Sequence, residues 1–231
     1  MVEGEGHRER VPTPLEALRV MATQQTMITE SLRHVEMYTR EGLLSLMWHE
    51  PAGNARDVAV VMGGGAMGGV LGPGESLFHA LGDRLSEVGV PALRVGWRAP
   101  NDLDSCCLDM AAAVQLAVGS GAEKVVTVGH SFGGAVAVRV AVGLPEMIAG
   151  VVTYATQSAG CEVAGGLMGR PLLMFHGDND SILPAEASEV VRAMAGGGDL
   201  RIMHGDDHLL AKSHTVMLDE TLAWLEGVFA T

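Results

Sequence analysis

The sequence predicts an α/β protein, a mostly parallel central sheet with helices on both faces, and three observations carry that expectation. Strand-like and helix-like segments alternate from about residue 57 onward, an order that favours parallel strands joined by crossover helices. The strand-like runs are short, β-branched and apolar, as in VVTV at 125–128, which suits strands covered on both sides. Apolar residues make up 48% of the 231, enough for one large domain to sustain its own core.

Taken in order, residues 1–13 are charged, contain glycine and lack periodicity, so they are expected to form a flexible tail ahead of a single domain over 14–231. The spacing of Leu15, Leu18 and Ala22 predicts a helix within 14–28. Residues 33–39 and 43–49 flank Arg40, Glu41 and Gly42 and predict a hairpin. A buried strand over 57–62 opens into the glycine-rich run GGGAMGGVLGPG, and a helical pattern follows over 75–88. Further strands are expected over 91–96, 148–154, 171–175 and 199–203, and helices over 104–118, 186–194 and 213–229. No internal repeat interrupts this order.

Charge and composition remove several classes of function. A net charge of −13 without any Lys/Arg cluster disfavours nucleic acids and anionic membrane surfaces. The most apolar stretch, 135–152, is interrupted by Arg139, Pro145 and Glu146, so no bilayer span is expected. The N-terminal residues lack the apolar core of a secretory signal, which makes the cytoplasm the expected compartment. Cys106, Cys107 and Cys161 offer neither a disulfide framework nor zinc-ligand spacing and read as buried or incidental thiols. Oligomeric state is not readable from the sequence.

The chemistry-bearing stretch is VVTVGHSFGG at 125–134, which contains G-x-S-x-G centred on Ser131. In a chain with 31 glycines the pentapeptide also fits an ordinary glycine-rich loop. Its setting decides for function, because a strand pattern precedes it and a small-residue helix pattern, AVAVRVAVGLPE, follows. A serine on a tight strand-to-helix turn has its hydroxyl lifted toward a substrate, and the backbone N–H of Phe132 opens a helix that favours developing negative charge. Serine is a weak nucleophile at neutral pH, so it needs a base and the base needs an orienting carboxylate. Loops at the carboxyl ends of later strands supply both: HGDNDSILP offers Asp178 and Asp180, and HGDDHLL offers His204, Asp206, Asp207 and His208. A metal reading of the 204–208 cluster would leave the serine turn without a purpose.

From about residue 33 to the C-terminus the chain resembles the α/β-hydrolase superfamily. His176-Gly177-Asp178-Asn179-Asp180-Ser181-Ile182-Leu183-Pro184 matches the superfamily's acid pattern, and Gly205-Asp206-Asp207-His208 matches the pattern before its last helix. The resemblance implies a Ser131–His208–Asp180 triad. Asp178 reads as a turn carboxylate and is the alternative acid, His176 reads as a brace of its turn and His204 as the end of a strand. His7, His34, His49, His79 and His214 read as surface or packing residues. The glycine run matches G-x-G-x-x-G at 63–68, yet the next strand ends in Val95, Gly96 and Trp97 without the acid a dinucleotide site requires, and no G-K-[ST] follows. In a hydrolase that loop supplies the second oxyanion N–H, assigned here to Gly64, with Gly65 and Ala66 as alternatives because Met62-Gly63 replaces the superfamily's His-Gly.

Only residues 157–170 stand where relatives insert a lid, so the expected architecture is lidless and similar to the dienelactone hydrolases, which use cysteine where this chain has Ser131. The implied activity is hydrolysis of a small carboxylic ester, thioester or lactone by water, with no metal or organic cofactor. Amidase or peptidase chemistry and a non-catalytic ligand-binding role on the same fold are the alternatives. Trp97, Cys106, Cys107, Met67 and Leu183 lie near strand ends and fit either a pocket wall or the core.

Overall fold

The structure is a computed structural model that describes residues 10–230. Nine strands form one sheet: β1 (Ala22–Met27), β2 (Leu32–Thr39), β3 (Gly42–His49), β4 (Val58–Gly63), β5 (Ala92–Gly96), β6 (Lys124–His130), β7 (Ile148–Tyr154), β8 (Leu172–Gly177) and β9 (Asp199–Met203). Their spatial order is β1-β2-β3-β5-β4-β6-β7-β8-β9. The pairs from β1 to β5 across β2 and β3 are antiparallel, and every pair from β5 through β4 to β9 is parallel.

The parallel strands are apolar throughout because both faces are covered. In β4, Val58, Val60 and Met62 point into one core while Ala59 and Val61 point into the other. The first core is closed by α1 (Pro14–Leu18), α3 (Leu103–Gly119), α4 (Phe132–Gly143) and α5 (Glu186–Ala195). The second lies under α2 (Leu77–Glu87) and α6 (His214–Phe229). None of the described helices is long and apolar enough to cross a membrane.

The helix expected within 14–28 is corrected in part. α1 stops at Leu18, and 22–27 is strand, antiparallel to β2. The Thr13/Glu16 capping box and Pro14 start α1, but Arg19 turns left-handed and ends it. β1 buries none of its six residues, so backbone pairing with β2 and a surface hydrogen bond from Arg33 to Gln25 Oε1 (2.7 Å) hold it, and TQQT carries no hydrophobic alternation to reveal it. The tail expected over 1–13 lies largely outside the described residues, and Thr13 at its end is the cap of α1. The remaining elements fall within a few residues of expectation, including the hairpin turning at Arg40 and Glu41.

Candidate active site

Ser131 follows β6, the strand at the middle of the parallel part of the sheet, and precedes α4. Its backbone sits at φ 56° and ψ −119°, a region that a residue with a side chain occupies only under constraint. The constraint is visible. The Ser131 N–H donates to the Tyr154 carbonyl at 2.8 Å, and the first turn of α4 packs so close that a Cβ on Gly129 would stand 1.9 Å from the Gly133 carbonyl oxygen. A Cβ on Gly133 would in turn stand 2.3 Å from the Gly64 carbonyl oxygen. The two motif glycines are therefore required by backbone contact, one inside the turn and one against the glycine loop that follows β4.

Asp180 and His208 reach Ser131 from the loops after β8 and β9. His208 Nε2 lies 3.0 Å from Ser131 Oγ, and His208 Nδ1 lies 2.6 Å from Asp180 Oδ2. A carboxylate only accepts, so Nδ1 carries the proton and Nε2 presents its lone pair to the serine hydroxyl. Asp180 has no exposed side-chain surface. Burial works against its charge, but the N–H of Leu183 (2.9 Å), the His208 ring and the N–H of Ile182 (2.8 Å) together hold its carboxyl below the usual range.

The other loop groups have separate employment. Asp178 accepts from the Gly205 N–H and pairs with His204 Nδ1 at 2.9 Å, at the surface, and these bonds lower its pKa. Asp206 caps the turn before α6 by accepting from the N–H groups of Lys212 and Ser213. His176 is wholly buried, with Nδ1 2.6 Å from Ser188 Oγ and Nε2 donating to the Leu183 carbonyl at 3.0 Å, so it braces the acid loop. His204 follows β9 directly.

A cleft of about 490 Å³ opens over Ser131. Ser131, His130 and His208 form its polar floor, Gly64, Gly65 and Ala66 one wall, and Met67, Leu71, Ile182 and Leu209 an exposed apolar rim. Among the described residues, no Asp, Glu, Lys or Arg lines it. Gly65 faces the nucleophile, since a Cβ there would lie 3.7 Å from Ser131 Cβ, whereas Gly64 abuts the carbonyls of Gly68 and Gly69 and accepts from Trp97 Nε1. Phe132 is buried as the first residue of α4. Residues 157–170 contribute nothing to the cleft; their 3₁₀ turn, Ala164–Leu167, packs on the core under α4 and α5.

Of the residues that fitted either pocket or core, only Met67 lines the cleft. Trp97 and Cys106 are core residues, Cys107 packs partly buried against that core, and Leu183 lies outside the cleft, its carbonyl taken by His176. Burial pushes the Cys106 and Cys161 thiols up to about 12 and Cys107 to about 11, so none is a thiolate nucleophile at neutral pH. Sequence reading missed Leu71, Ile182, Leu209 and His130 as cleft residues. His130 alone left a signal, its place beside the serine. Its Nε2–H donates to the His208 carbonyl at 3.0 Å, and burial lowers its pKa to about 4.

Solved structures share this fold. The chain superposes on Est1E from Butyrivibrio proteoclasticus with a TM-score of 0.72 at 17% identity, over 86% of this chain and 99% of that one. The dienelactone hydrolase from Anabaena variabilis gives 0.72 at 16%, over 89% and 98%. The chain has the α/β-hydrolase fold. Within that fold it is also similar to XC6422 from Xanthomonas campestris, described as a serine hydrolase without a lid, with a TM-score of 0.65 at 16% identity over 84% and 93%. The model of the dienelactone hydrolase family matches residues 98–204, a span of the hydrolase fold that holds Ser131 and Asp180 and stops short of His208. No curated protein matches the chain in sequence.

Proposed function

We propose that this α/β-hydrolase-fold protein is a serine hydrolase of small, uncharged carboxylic esters, with thioesters and lactones as chemical neighbours. The observation that carries the reading is the unbroken hydrogen-bond chain from Asp180 through His208 to Ser131 at the floor of an open cleft. In the proposed reaction Ser131 Oγ attacks the acyl carbon while His208 Nε2 takes its proton. His208 returns that proton to the departing alkoxide, leaving an acyl-serine and an alcohol. Water then attacks the acyl-serine with His208 again as base, and the free acid and Ser131 are released. Asp180 fixes the ring tautomer and favours the imidazolium. The N–H groups of Phe132 and of Gly64, or of its neighbour Gly65, receive the oxyanion.

The lack of charged side chains around the cleft among the described residues, and its rim of Met67, Leu71, Ile182 and Leu209, support an apolar acyl or alcohol group as substrate. A fluorophosphonate probe with mass mapping of the labelled peptide, followed by a chain-length series of neutral esters, tests the whole reading. Labelling at Ser131 is expected, with kcat/KM rising from acetyl toward medium acyl chains. Ser131→Ala should lose at least about 10⁴-fold in kcat and Asp180→Asn roughly 10³–10⁴-fold. Folded protein that neither labels nor hydrolyses any ester would overturn the proposal in favour of a binding role, and equal rates on matched amides would move it to amidase chemistry.

A further inference from the structure

We propose that His49, His79 and Asp83 form a site for a borderline transition-metal dication such as Zn²⁺, separate from the serine cleft. His49 ends β3 and pairs with Ala92, the first residue of β5. It therefore lies at the end of the sheet opposite the one from which Ser131 emerges. His79 and Asp83 stand one turn apart on α2, on the face that covers β3 at this point.

Three observations point to a ligand. First, one donor atom from each of the three residues falls within 4.8 Å of the others. His49 Nδ1 is 3.0 Å from Asp83 Oδ1, and His79 Nε2 is 3.6 Å from Asp83 Oδ2. Bonds of about 2.0–2.1 Å from a tetrahedral ion would hold its ligand atoms about 3.3 Å apart, so each imidazole already stands near ligand spacing from one oxygen of the Asp83 carboxylate. Second, the His49 side chain has no exposed surface, yet neither of its ring nitrogens makes a hydrogen bond, and the contact with Asp83 is not aligned as one. A buried imidazole whose Nε2 has no partner and whose Nδ1 meets only the Asp83 carboxylate, off hydrogen-bond alignment, is costly unless something else occupies a lone pair. Third, α2 carries a glycine where a side chain cannot fit: a Cβ on Gly82 would stand 2.5 Å from the His49 ring. That mid-helix glycine makes room for the imidazole at the expense of helix propensity.

Arg94 decides which metals suit the site. Its side chain is buried, its charge acts on both His49 and Asp83, and its Nη1 donates to the Val70 carbonyl at 3.2 Å. That positive charge opposes hard dications held by carboxylates and charge alone. Metals that bond to neutral imidazole tolerate it better, which favours Zn²⁺, Cu²⁺ or Ni²⁺ over Mg²⁺ or Ca²⁺. His79 and Asp83 are about half exposed, so solvent supplies the remaining ligand positions and the ion pins α2 to the end of β3.

The test is calorimetric titration of the full-length protein with Zn²⁺ and with Mg²⁺, alongside Co²⁺ absorption as a report of coordination. One Zn²⁺ per chain is expected at micromolar affinity or better, with no Mg²⁺ binding and a metal-dependent rise in Tm. The surface variants His79→Ala and Asp83→Asn, which leave buried His49 in place, should each weaken Zn²⁺ at least roughly tenfold. His204→Ala, which removes the unrelated surface pair with Asp178, should not. Absence of saturable binding would overturn the proposal and leave Asp83 as the counter-ion of Arg94. Binding that survives both the His79 and Asp83 substitutions would overturn it equally, since the ion would then sit elsewhere.

Discussion

His130 shows how a residue beside the nucleophile can govern the base. Its ring hangs between the serine turn and the loop after β9, and its Nε2–H ties down the His208 carbonyl while the two rings lie 5.1 Å apart. Replacing it with Phe should leave KM nearly unchanged and lower kcat roughly tenfold, because the base loses an anchor and the cleft keeps its shape. His130→Gln, whose amide can donate, should recover part of that loss. The same residue sets a pH limit on stability. Its pKa falls from the ordinary value near 6.5 to about 4 in the folded state because burial disfavours the charged ring. The unfolded chain therefore binds the proton first, so stability is intact above about 6.5 and declines as pH drops toward 4, by up to roughly 3 kcal/mol. Urea midpoints at pH 7.5 and 4.5, compared between wild type and His130→Phe, measure that contribution. An equal decline in both would assign it to other groups.

At the scale of elements, the serine turn works because α4 approaches the loop after β4 backbone to backbone. Gly133→Ala would place a Cβ 2.4 Å from the Gly63 carbonyl oxygen, with no flexible side chain to yield, and should cost about 2 kcal/mol or more. Gly143→Ala at the far end of the same helix meets nothing within 4 Å and should be neutral or mildly stabilising. Chemical denaturation of the two variants makes the comparison. This turn was legible in sequence because its chemistry demands small residues at fixed spacing, and the later strands were legible because two-sided burial leaves only apolar residues. β1 was not legible, since an exposed strand held by backbone bonds imposes no pattern on its side chains. The rim residues Leu71, Ile182 and Leu209 escaped for a related reason: they project from loops, where no period marks which side chain meets a cleft.

Across the whole molecule, each central strand contributes side chains alternately to the two cores, so neither face can melt without exposing the other side of the same strands. Trp48 and Trp97 belong to the core under α3 and α4, and Trp224 packs against the one under α2 and α6. Urea unfolding of single-tryptophan variants should therefore give one midpoint, coincident with far-UV circular dichroism. Two midpoints would mean that the faces unfold separately. The layout of the cleft was readable at this scale only in part: its openness followed from the short 157–170 segment, while the place of Trp97 and Cys106 in the core depended on packing that no local pattern records.

Tyr154 on β7 joins several of these parts. Its carbonyl accepts from the Ser131 N–H, its ring stacks on Phe175 of β8 at 5.2 Å, and its hydroxyl lies 2.6 Å from Thr221 on α6. β7 separates the strand bearing the nucleophile from the strand leading to the acid, so the span between Ser131 and Asp180 is set by how two strand pairs twist across it. The molecule behaves there as a jig whose calibration is hidden in its middle. Rim loops can be exchanged to admit a new substrate without disturbing that calibration, whereas a change in girth at position 154, which lines no part of the cleft, would put the tool out of true.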